Sequence, residues 1–171
     1  MPRSMVYDVD VDDVPAAEMY RQFTTRRYWE DLVDFYRGNG SRTEISHFWT
    51  GESGTDVSFT HIMSGDDLPA VARPVLPGTF VVTREQHFDA FHVPTNRAAG
   101  RYRAHIPAPV EVTGDYLLLD TDRGSRMRLE SVCRVPVPFI GGKIEQLVMG
   151  GLKALFAQEG KFTATWIAGN H

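Results

Sequence analysis

One candidate strand combines a group that could do chemistry with large apolar side chains. Period-two alternation places Arg84 on the same strand face as four other residues: Phe80, Val82, Gln86 and Phe88. If that face points inward, a guanidinium lies among apolar groups and needs a partner. A ligand carboxylate, bound through two hydrogen bonds, could be that partner. The alternatives are an internal pair with a glutamate, or the opposite facing, which leaves Arg84 in solvent.

The histidines do not predict a metal site. His87 and His92 are five residues apart, and His47 and His61 lie on neighbouring candidate strands, but no HExxH or CxxC spacing occurs. Cys133 could act as a nucleophile beside a histidine, although an inward cysteine on a strand is usually a small apolar filler. Nucleophile-elbow and phosphate-loop patterns are also absent. We therefore expect no metal, no cofactor and no assignable catalytic residue.

Composition limits the class of protein further. A chain of 171 residues fits one domain, here 1–171. The net charge is −4 and the pI is near 5.8, which argues against nucleic-acid binding. The single cysteine cannot form an internal disulfide, as expected in a reducing cytoplasm. Because the sequence has no signal-peptide pattern and no apolar run of about 20 residues, we expect a cytoplasmic chain without an integral membrane segment.

The hydrophobic pattern predicts the elements that must position these residues. A first strand at Met5–Val11 is followed by two short helices, Pro15–Phe23 and Arg26–Arg37. The pattern then changes to period two, with six candidate strands: Arg42–Trp49, Asp56–Met63, Thr79–Phe91, Ala98–Ile106, Gly114–Asp120 and Ser125–Val137. Turn-rich connections of hairpin length join these strands. They indicate a meandering antiparallel sheet.

The last third of the chain predicts one long amphipathic helix. Its apolar residues recur every three or four positions: Ile144, Leu147, Val148, Gly151, Leu152, Leu155, Phe156, Phe162 and Trp166. An antiparallel sheet with its helices on one side must curve around the longest of them to cover its apolar face. The predicted fold class is therefore α+β. It consists of a curved, seven-stranded antiparallel sheet wrapped around a long C-terminal helix, with two short helices after the first strand.

This order of elements resembles that of a known superfamily, and several motifs resemble one family within it. The motifs are Tyr28-Trp29, Leu68-Pro69-Ala70-Val71-Ala72-Arg73 with Pro77-Gly78, Thr83-Arg84-Glu85, Val137-Pro138-Phe139-Ile140-Gly141-Gly142-Lys143-Ile144-Glu145, Phe162-Thr163 and Trp166-Ile167. The chain resembles the START-like, helix-grip superfamily (SRPBCC), which includes lipid-transfer domains, birch-pollen-type allergens and polyketide cyclases. Within it, the chain is similar to an actinobacterial family of uncharacterised function. Pro74 and Phe88 depart from that pattern, and Phe88 stands where tryptophan is expected.

The resemblance implies a cavity between the sheet and the long helix, and strand alternation supplies a candidate lining. The candidate ligand-binding residues are Phe59, His61, Phe80, Val82, Arg84, Tyr102, Ala104, Met127, Leu129, Ser131, Val148, Gly151, Leu152 and Phe156. On the second strand, Ile45, His47 and Trp49 are expected to share the more apolar face. Gly151 would either add cavity volume or let a bulky strand residue such as Phe80 pack closely. The alternative to a cavity is a fully packed core.

The segment from Ser64 to Pro77 is the predicted entrance to that cavity. A short helix at Asp66–Arg73, ended by Pro74, would carry two apolar portal residues, Leu68 and Val71. Few protected amides are expected here, and such segments open at low free-energy cost. The turn Gly51–Gly54 would complete the entrance. The alternative is an ordinary loop whose apolar residues cap the core.

Three functions fit these expectations. The leading hypothesis is a binder or carrier of a hydrophobic small molecule, such as a lipid, an isoprenoid or a polyketide. The second is an enzyme of the polyketide cyclase or aromatase type, in which His61, Arg84 and Tyr102 would orient a reactive chain and polarise its carbonyls. The third is a protein-interaction domain with a collapsed core and no ligand.

Overall fold

One strand and two short helices come first in the chain, six strands follow, and one long helix comes after them. A computed structural model describes residues 2–76 and 78–169. Pro77, at the end of the predicted entrance segment, lies outside the described residues. Within these ranges the elements are β1 (Arg3–Asp12), α1 (Ala16–Phe23), α2 (Arg26–Gly38), β2 (Arg42–Gly51), β3 (Gly54–Ser64), β4 (Thr79–Asp89), β5 (Arg97–His105), β6 (Glu111–Asp120), β7 (Gly124–Arg134) and α3 (Gly141–Gly169).

The strands form one antiparallel sheet with the order β1-β7-β6-β5-β4-β3-β2, so β1 and β2 are its edges. Helix α3 packs against β1 and β7, while α2 lies against β2 and α3. The core is rich in aromatic residues, and Phe23, Trp29, Phe88 and Tyr116 make successive ring contacts within it. The predicted fold class, a curved seven-stranded sheet with a long C-terminal helix and two short helices, is confirmed.

Alternation along β7 has the predicted facing. Met127, Leu129, Ser131 and Cys133 are buried, whereas arginines occupy the opposite face. On that outer face the register places Arg126 and Arg128 of β7 opposite aspartates of β1, at Asp10 and Asp8. A slip of one residue would bring these charges into the core, so the ion pairs and the apolar face specify the same register.

Strand β2 departs from simple alternation. Its pairing with β3 shifts between Ile45 and His47, so Ser46 is an extra residue in the strand. After this bulge Phe48 packs against the core, while Trp49 lies 44% exposed on the other side. The expectation that Ile45, His47 and Trp49 share the apolar face is therefore wrong, because a bulge reverses the facing of every later residue.

The predicted short helix at Asp66–Arg73 is also wrong. The structure has a single 3₁₀ turn at Gly65–Asp67, followed by turns closed by short-range bonds such as Ala72 N to the Pro69 carbonyl at 2.9 Å. Proline has no amide hydrogen and restricts the residue before it. Pro69 and Pro74 stand five residues apart, which leaves too little chain between them for a regular helix.

Candidate functional site

A small cavity lies between the sheet and α3. Its volume is about 60 Å³, which is room for roughly two water molecules at their liquid volume. The sheet contributes Val9, Gln86, Phe88, Tyr116, Met127 and Leu129 to its wall, and the helices contribute Met19, Phe23, Tyr28, Trp29, Phe156, Glu159, Gly160 and Thr163. Most of this lining is apolar, so its few polar groups are concentrated on Gln86, Glu159 and the hydroxyl-bearing residues.

The structure brings part of the predicted lining to this cavity. Met127, Leu129 and Phe156 line it directly. Phe59, Phe80, Arg84, Tyr102 and Ser131 are buried but lie outside the lining, and His61, Val82, Ala104, Val148 and Leu152 are half-buried. The portal residues Leu68 and Val71 are half-buried as well. The predicted set therefore falls on the inner face of the sheet and the flank of α3, and only three of its members meet at the cavity.

Gly151 does not face the cavity, so the expectation placed on it is wrong. It is exposed, and a Cβ added to it would meet no atom within 4 Å. The buried side of α3 is a different stripe: Gly141, Ile144, Glu145, Met149, Phe156, Thr163 and Ile167. The close approach occurs one turn after Phe156, at Gly160, where an added Cβ would lie 2.4 Å from Val9 Cγ1.

An ion pair joins Glu159, which lines the cavity, to Arg84, which lies behind the lining. Arg84 Nη2 donates to Glu159 Oε1 at 2.6 Å, and the Tyr36 hydroxyl donates to the same oxygen. Arg84 is only 3% exposed. Burial acts against the guanidinium charge, but Glu159, together with Tyr36 and Tyr116, outweighs it and raises the pKa of Arg84. Of the three arrangements expected for Arg84, the internal pair with a glutamate is the one that the structure shows.

The pair leaves several buried donors without an acceptor. Among the described residues, Arg84 Nε, Arg84 Nη1 and Gln86 Nε2 are buried with no hydrogen-bond partner. The Gln86 carbonyl oxygen accepts from the Tyr116 hydroxyl at 2.5 Å, so its amide nitrogen is the free end. The guanidinium carbon of Arg84 lies 5.0 Å from the centroid of the Phe59 ring, a cation–π contact that partly compensates for lost hydration.

Buried tyrosine hydroxyls lie near the Arg84–Glu159 pair. Thr163 donates to the Glu159 carbonyl at 2.7 Å and therefore accepts from the Tyr28 hydroxyl at 2.6 Å. Tyr102 and Ser131 share a second hydroxyl contact of 2.6 Å. Burial raises the pKa of Tyr28, Tyr102 and Tyr116, so all three remain protonated near neutral pH. The site therefore offers neutral donors and one compensated cation to any group that enters it.

His61 and Cys133 are not activated for catalysis. Burial, reinforced by the charge of Arg84, lowers the pKa of His61 to about 4, and its Nδ1 lies 2.9 Å from Thr43 Oγ1. Burial, with a smaller contribution from Glu145, raises the pKa of the Cys133 thiol to about 11. At neutral pH these groups are a neutral imidazole and a thiol. The thiolate that a nucleophilic cysteine requires is absent at that pH.

Sequence reasoning missed the helical half of the site. Glu159, Thr163 and Tyr28 were not among the predicted ligand-binding residues, although Tyr28-Trp29 and Phe162-Thr163 belong to the motifs that resemble the actinobacterial family. A usable signal was present, because Glu159 and Thr163 follow Phe156 at helical spacing and so share its face.

Comparisons with solved structures support the fold. Norcoclaurine synthase from Thalictrum flavum, in complex with dopamine and hydroxybenzaldehyde, matches with a TM-score of 0.59 at 13% identity, covering 100% of this chain and 89% of that one. The Zhui aromatase/cyclase from Streptomyces sp. R1128 matches with a TM-score of 0.54 at 13% identity, covering 95% and 94%. At such low identity these likenesses concern the helix-grip fold alone. Within the described ranges, no helix combines the length and apolar character needed to cross a bilayer.

Sequence comparison identifies the family. The uncharacterized protein Rv0481c of Mycobacterium tuberculosis strain H37Rv is 30% identical over 180 residues, covering 99% of both chains. The uncharacterized protein Mb0491c of Mycobacterium bovis matches to the same extent. The family described as "protein of unknown function (DUF2505)" matches residues 7–167. Since this match covers nearly the whole chain, the protein belongs to the DUF2505 family.

Proposed function

We propose that residues 1–171 form a single domain that binds a hydrophobic small molecule carrying one hydrogen-bond-accepting group. The ligand would be a lipid, isoprenoid or polyketide-like molecule, held between the sheet and α3. The observation that carries this proposal is the amide of Gln86, which is 5% exposed, lines the cavity and has an unpartnered donor.

The energetics of that donor favour a ligand with an acceptor. A buried polar group without a hydrogen bond costs about 1–3 kcal/mol. Gln86 Nε2 and two Arg84 nitrogens carry such costs at successive inward positions of β4. A ketone, ester or hydroxyl oxygen placed against Gln86 would remove part of this cost, while aromatic residues such as Phe88 and Trp29 would contact the apolar remainder of the ligand.

The size of the cavity means that binding must expand it. Ligand pockets for drug-sized molecules usually span about 300–1,000 Å³, whereas this cavity has about 60 Å³. Met19 and Met127 line it, and their unbranched side chains can repack more readily than the surrounding rings. Leu68 and Val71, in the turns before β4, would form the portal. A ligand that enters there should slow hydrogen exchange at residues 66–73, and ligand-independent slow exchange would rule out this route.

The proposal is tested by native mass spectrometry of freshly purified protein and by binding of two matched probes. We expect a long-chain ketone to bind roughly 3- to 10-fold more tightly than its parent hydrocarbon, the ratio that one net hydrogen bond supplies. Gln86→Leu with Tyr116→Phe, which removes the amide and the hydroxyl that would lose its acceptor, should abolish that preference while still binding the hydrocarbon. Gly151→Leu is the matched control, because its side chain would project into open space. Absence of any retained molecule and of binding by either probe would favour the ligand-free interaction domain instead.

A second candidate, a polyketide cyclase or aromatase-type enzyme, is supported by one observation. Among the described residues, Arg84 and Gln86 have unpartnered buried donors at successive inward positions of β4, where they could polarise a carbonyl and favour its enol. His61 and Cys133 would not supply the base or the nucleophile near neutral pH, so positioning would have to provide most of the rate. Conversion of a poly-β-ketone probe, lost in Gln86→Leu, would support this candidate over simple binding.

A further inference from the structure

The solvent-facing side of α3 differs from the rest of the surface. All three lysines of the chain, Lys143, Lys153 and Lys161, lie on this helix and are exposed. Both acidic residues of α3 bind partners outside the helix: Glu145 is 5% exposed and accepts from Val135 N at 3.0 Å, and Glu159 pairs with Arg84. The exposed charge of α3 is therefore entirely positive, on a chain whose net charge is −4.

The same side of the helix is otherwise weakly polar. Lys143 and Lys161 are 18 residues apart, which is five turns, so they share one stripe. Between them at helical spacing lie Leu147, Gly150 and Ala154, all exposed. Leu147 is 41% exposed. The stripe therefore combines an exposed leucine with lysines as its only charges, and lysines near an anionic lipid surface are attracted to it.

Phe139 is a fully exposed aromatic residue just before this helix. It stands two residues before α3 and is fully exposed, at 101%. Its backbone has a φ of 68°, a region that bulky residues rarely occupy, and it lies inside a turn closed by Gly141 N donating to the Val137 carbonyl at 2.9 Å. The turn therefore holds an aromatic ring in water at a conformational cost. Such strained outliers are most common at functional positions.

We propose that the α3 surface, defined as Phe139, Lys143, Leu147, Gly150, Ala154 and Lys161, docks this protein on an anionic membrane surface. Phe139 and Leu147 would enter the interface between headgroups and acyl chains, and the lysines would contact lipid phosphates. The acidic remainder of the chain would be repelled and would orient the helix toward the bilayer. This inference does not depend on the proposed ligand, because none of these residues lines the cavity.

Vesicle co-sedimentation tests the docking surface. The ligand-free protein is mixed with vesicles of phosphatidylcholine alone, or of phosphatidylcholine with phosphatidylglycerol. We expect sedimentation only with the anionic vesicles, and its loss at high salt, because screening weakens contacts between lysine and phosphate. Each lysine near such a surface contributes about 1 kcal/mol. The double variant Lys143→Glu with Lys161→Glu should therefore lower the partition coefficient at least roughly 30-fold.

Matched variants separate this surface from general charge effects. Arg42→Glu with Arg97→Glu makes the same change in net charge at exposed positions on β2 and β5 and should reduce partition much less. Phe139→Ala should weaken binding, whereas Val93→Ala, at a residue 71% exposed elsewhere, should not. Circular dichroism confirms that each variant is folded. The proposal is overturned if the unmodified protein fails to sediment with anionic vesicles, or if the two double variants lose binding equally.

Discussion

The two faces of the sheet carry the same kind of ion pair in opposite surroundings. On the outer, solvent-exposed face, Arg126 donates two hydrogen bonds to Asp10 and Arg128 donates two to Asp8, at 2.6–3.2 Å. Inside, Arg84 makes one hydrogen bond of 2.6 Å to Glu159 and has two further nitrogens without partners. The better-bonded pairs thus lie where water already satisfies the charges, and the less complete pair lies where water is scarce.

This contrast indicates that the outer and inner ion pairs have different roles. Exposed pairs usually contribute little to stability, so the outer pairs mainly specify strand register. A buried pair seldom stabilises relative to apolar residues, yet it becomes expensive when one partner is lost. The inner pair is therefore a poor stabilising device that the fold nevertheless retains. Its free donors beside a cavity are the feature that a ligand-binding protein can use and a purely structural core does not need.

Removing the inner carboxylate should have the largest effect on the stability of the protein. Glu159→Ala leaves Arg84 buried without its partner, and we expect a loss of about 3 kcal/mol or more in the free energy of unfolding, measured with urea. Replacing both residues, as Arg84→Met with Glu159→Leu, should recover most of that loss because no unpaired charge remains. A Glu159→Ala loss below about 1 kcal/mol would mean that water reaches the guanidinium.

The next largest effect is the pH response of His61, which lies near the inner pair. Its folded-state pKa of about 4 is below the ordinary value of 6.5, so the unfolded chain takes up the proton first as the pH falls. The stability that this neutral imidazole contributes is complete above pH 6.5, decreases toward pH 4 and is lost below it. Since the ring is half-buried, we expect an effect on the order of 2 kcal/mol.

The measurement is the free energy of unfolding of the unmodified protein and of His61→Gln between pH 7 and pH 4. The unmodified protein should lose more stability over this range, and the difference isolates His61 from the carboxylates. His92→Gln, at an exposed histidine, is the matched control and should follow the unmodified protein. Parallel curves for all three would contradict the burial and the influence of Arg84 that lower this pKa.

Much of the sheet could be predicted because its pattern is unambiguous. In β7 every inward position is apolar or small and most outward positions are charged, so one facing is possible for Met127, Leu129 and Arg128. In β2 the same reasoning failed, since the extra residue at Ser46 leaves no mark in the alternation. A bulge is decided by pairing with β3, and that information lies outside the strand.

The candidate site was harder to predict because polar residues share the buried side of its helix with apolar ones. Leu147 and Gly151, both placed inside by periodicity, are exposed, while Glu145 and Thr163 are buried. The rotation of α3 follows from partners distant in sequence: Val135 for Glu145, Tyr28 for Thr163 and Arg84 for Glu159. Hydrophobic periodicity contains no signal for such polar pairings. Arg84 was identified as a candidate, but which of its three expected arrangements it adopts depends on those contacts.

The smallest expected effect on stability comes from the ion pairs of Asp8 and Asp10 on the outer face of the sheet. The hydrogen bond from Arg126 lowers the pKa of Asp10, and that from Arg128 lowers the pKa of Asp8. Their contribution to stability is therefore present above the ordinary aspartate pKa and declines as the pH falls below it. Asp8→Asn with Asp10→Asn should change the urea midpoint only slightly at neutral pH, and high salt should erase the difference because these charges are exposed. Salt should leave the Glu159→Ala loss nearly unchanged, since that pair is shielded from ions.

The double asparagine variant could instead unfold as easily as Glu159→Ala. That result would mean that the outer pairs contribute substantially to the pairing of β1 with β7, and the distinction between the two faces would fail.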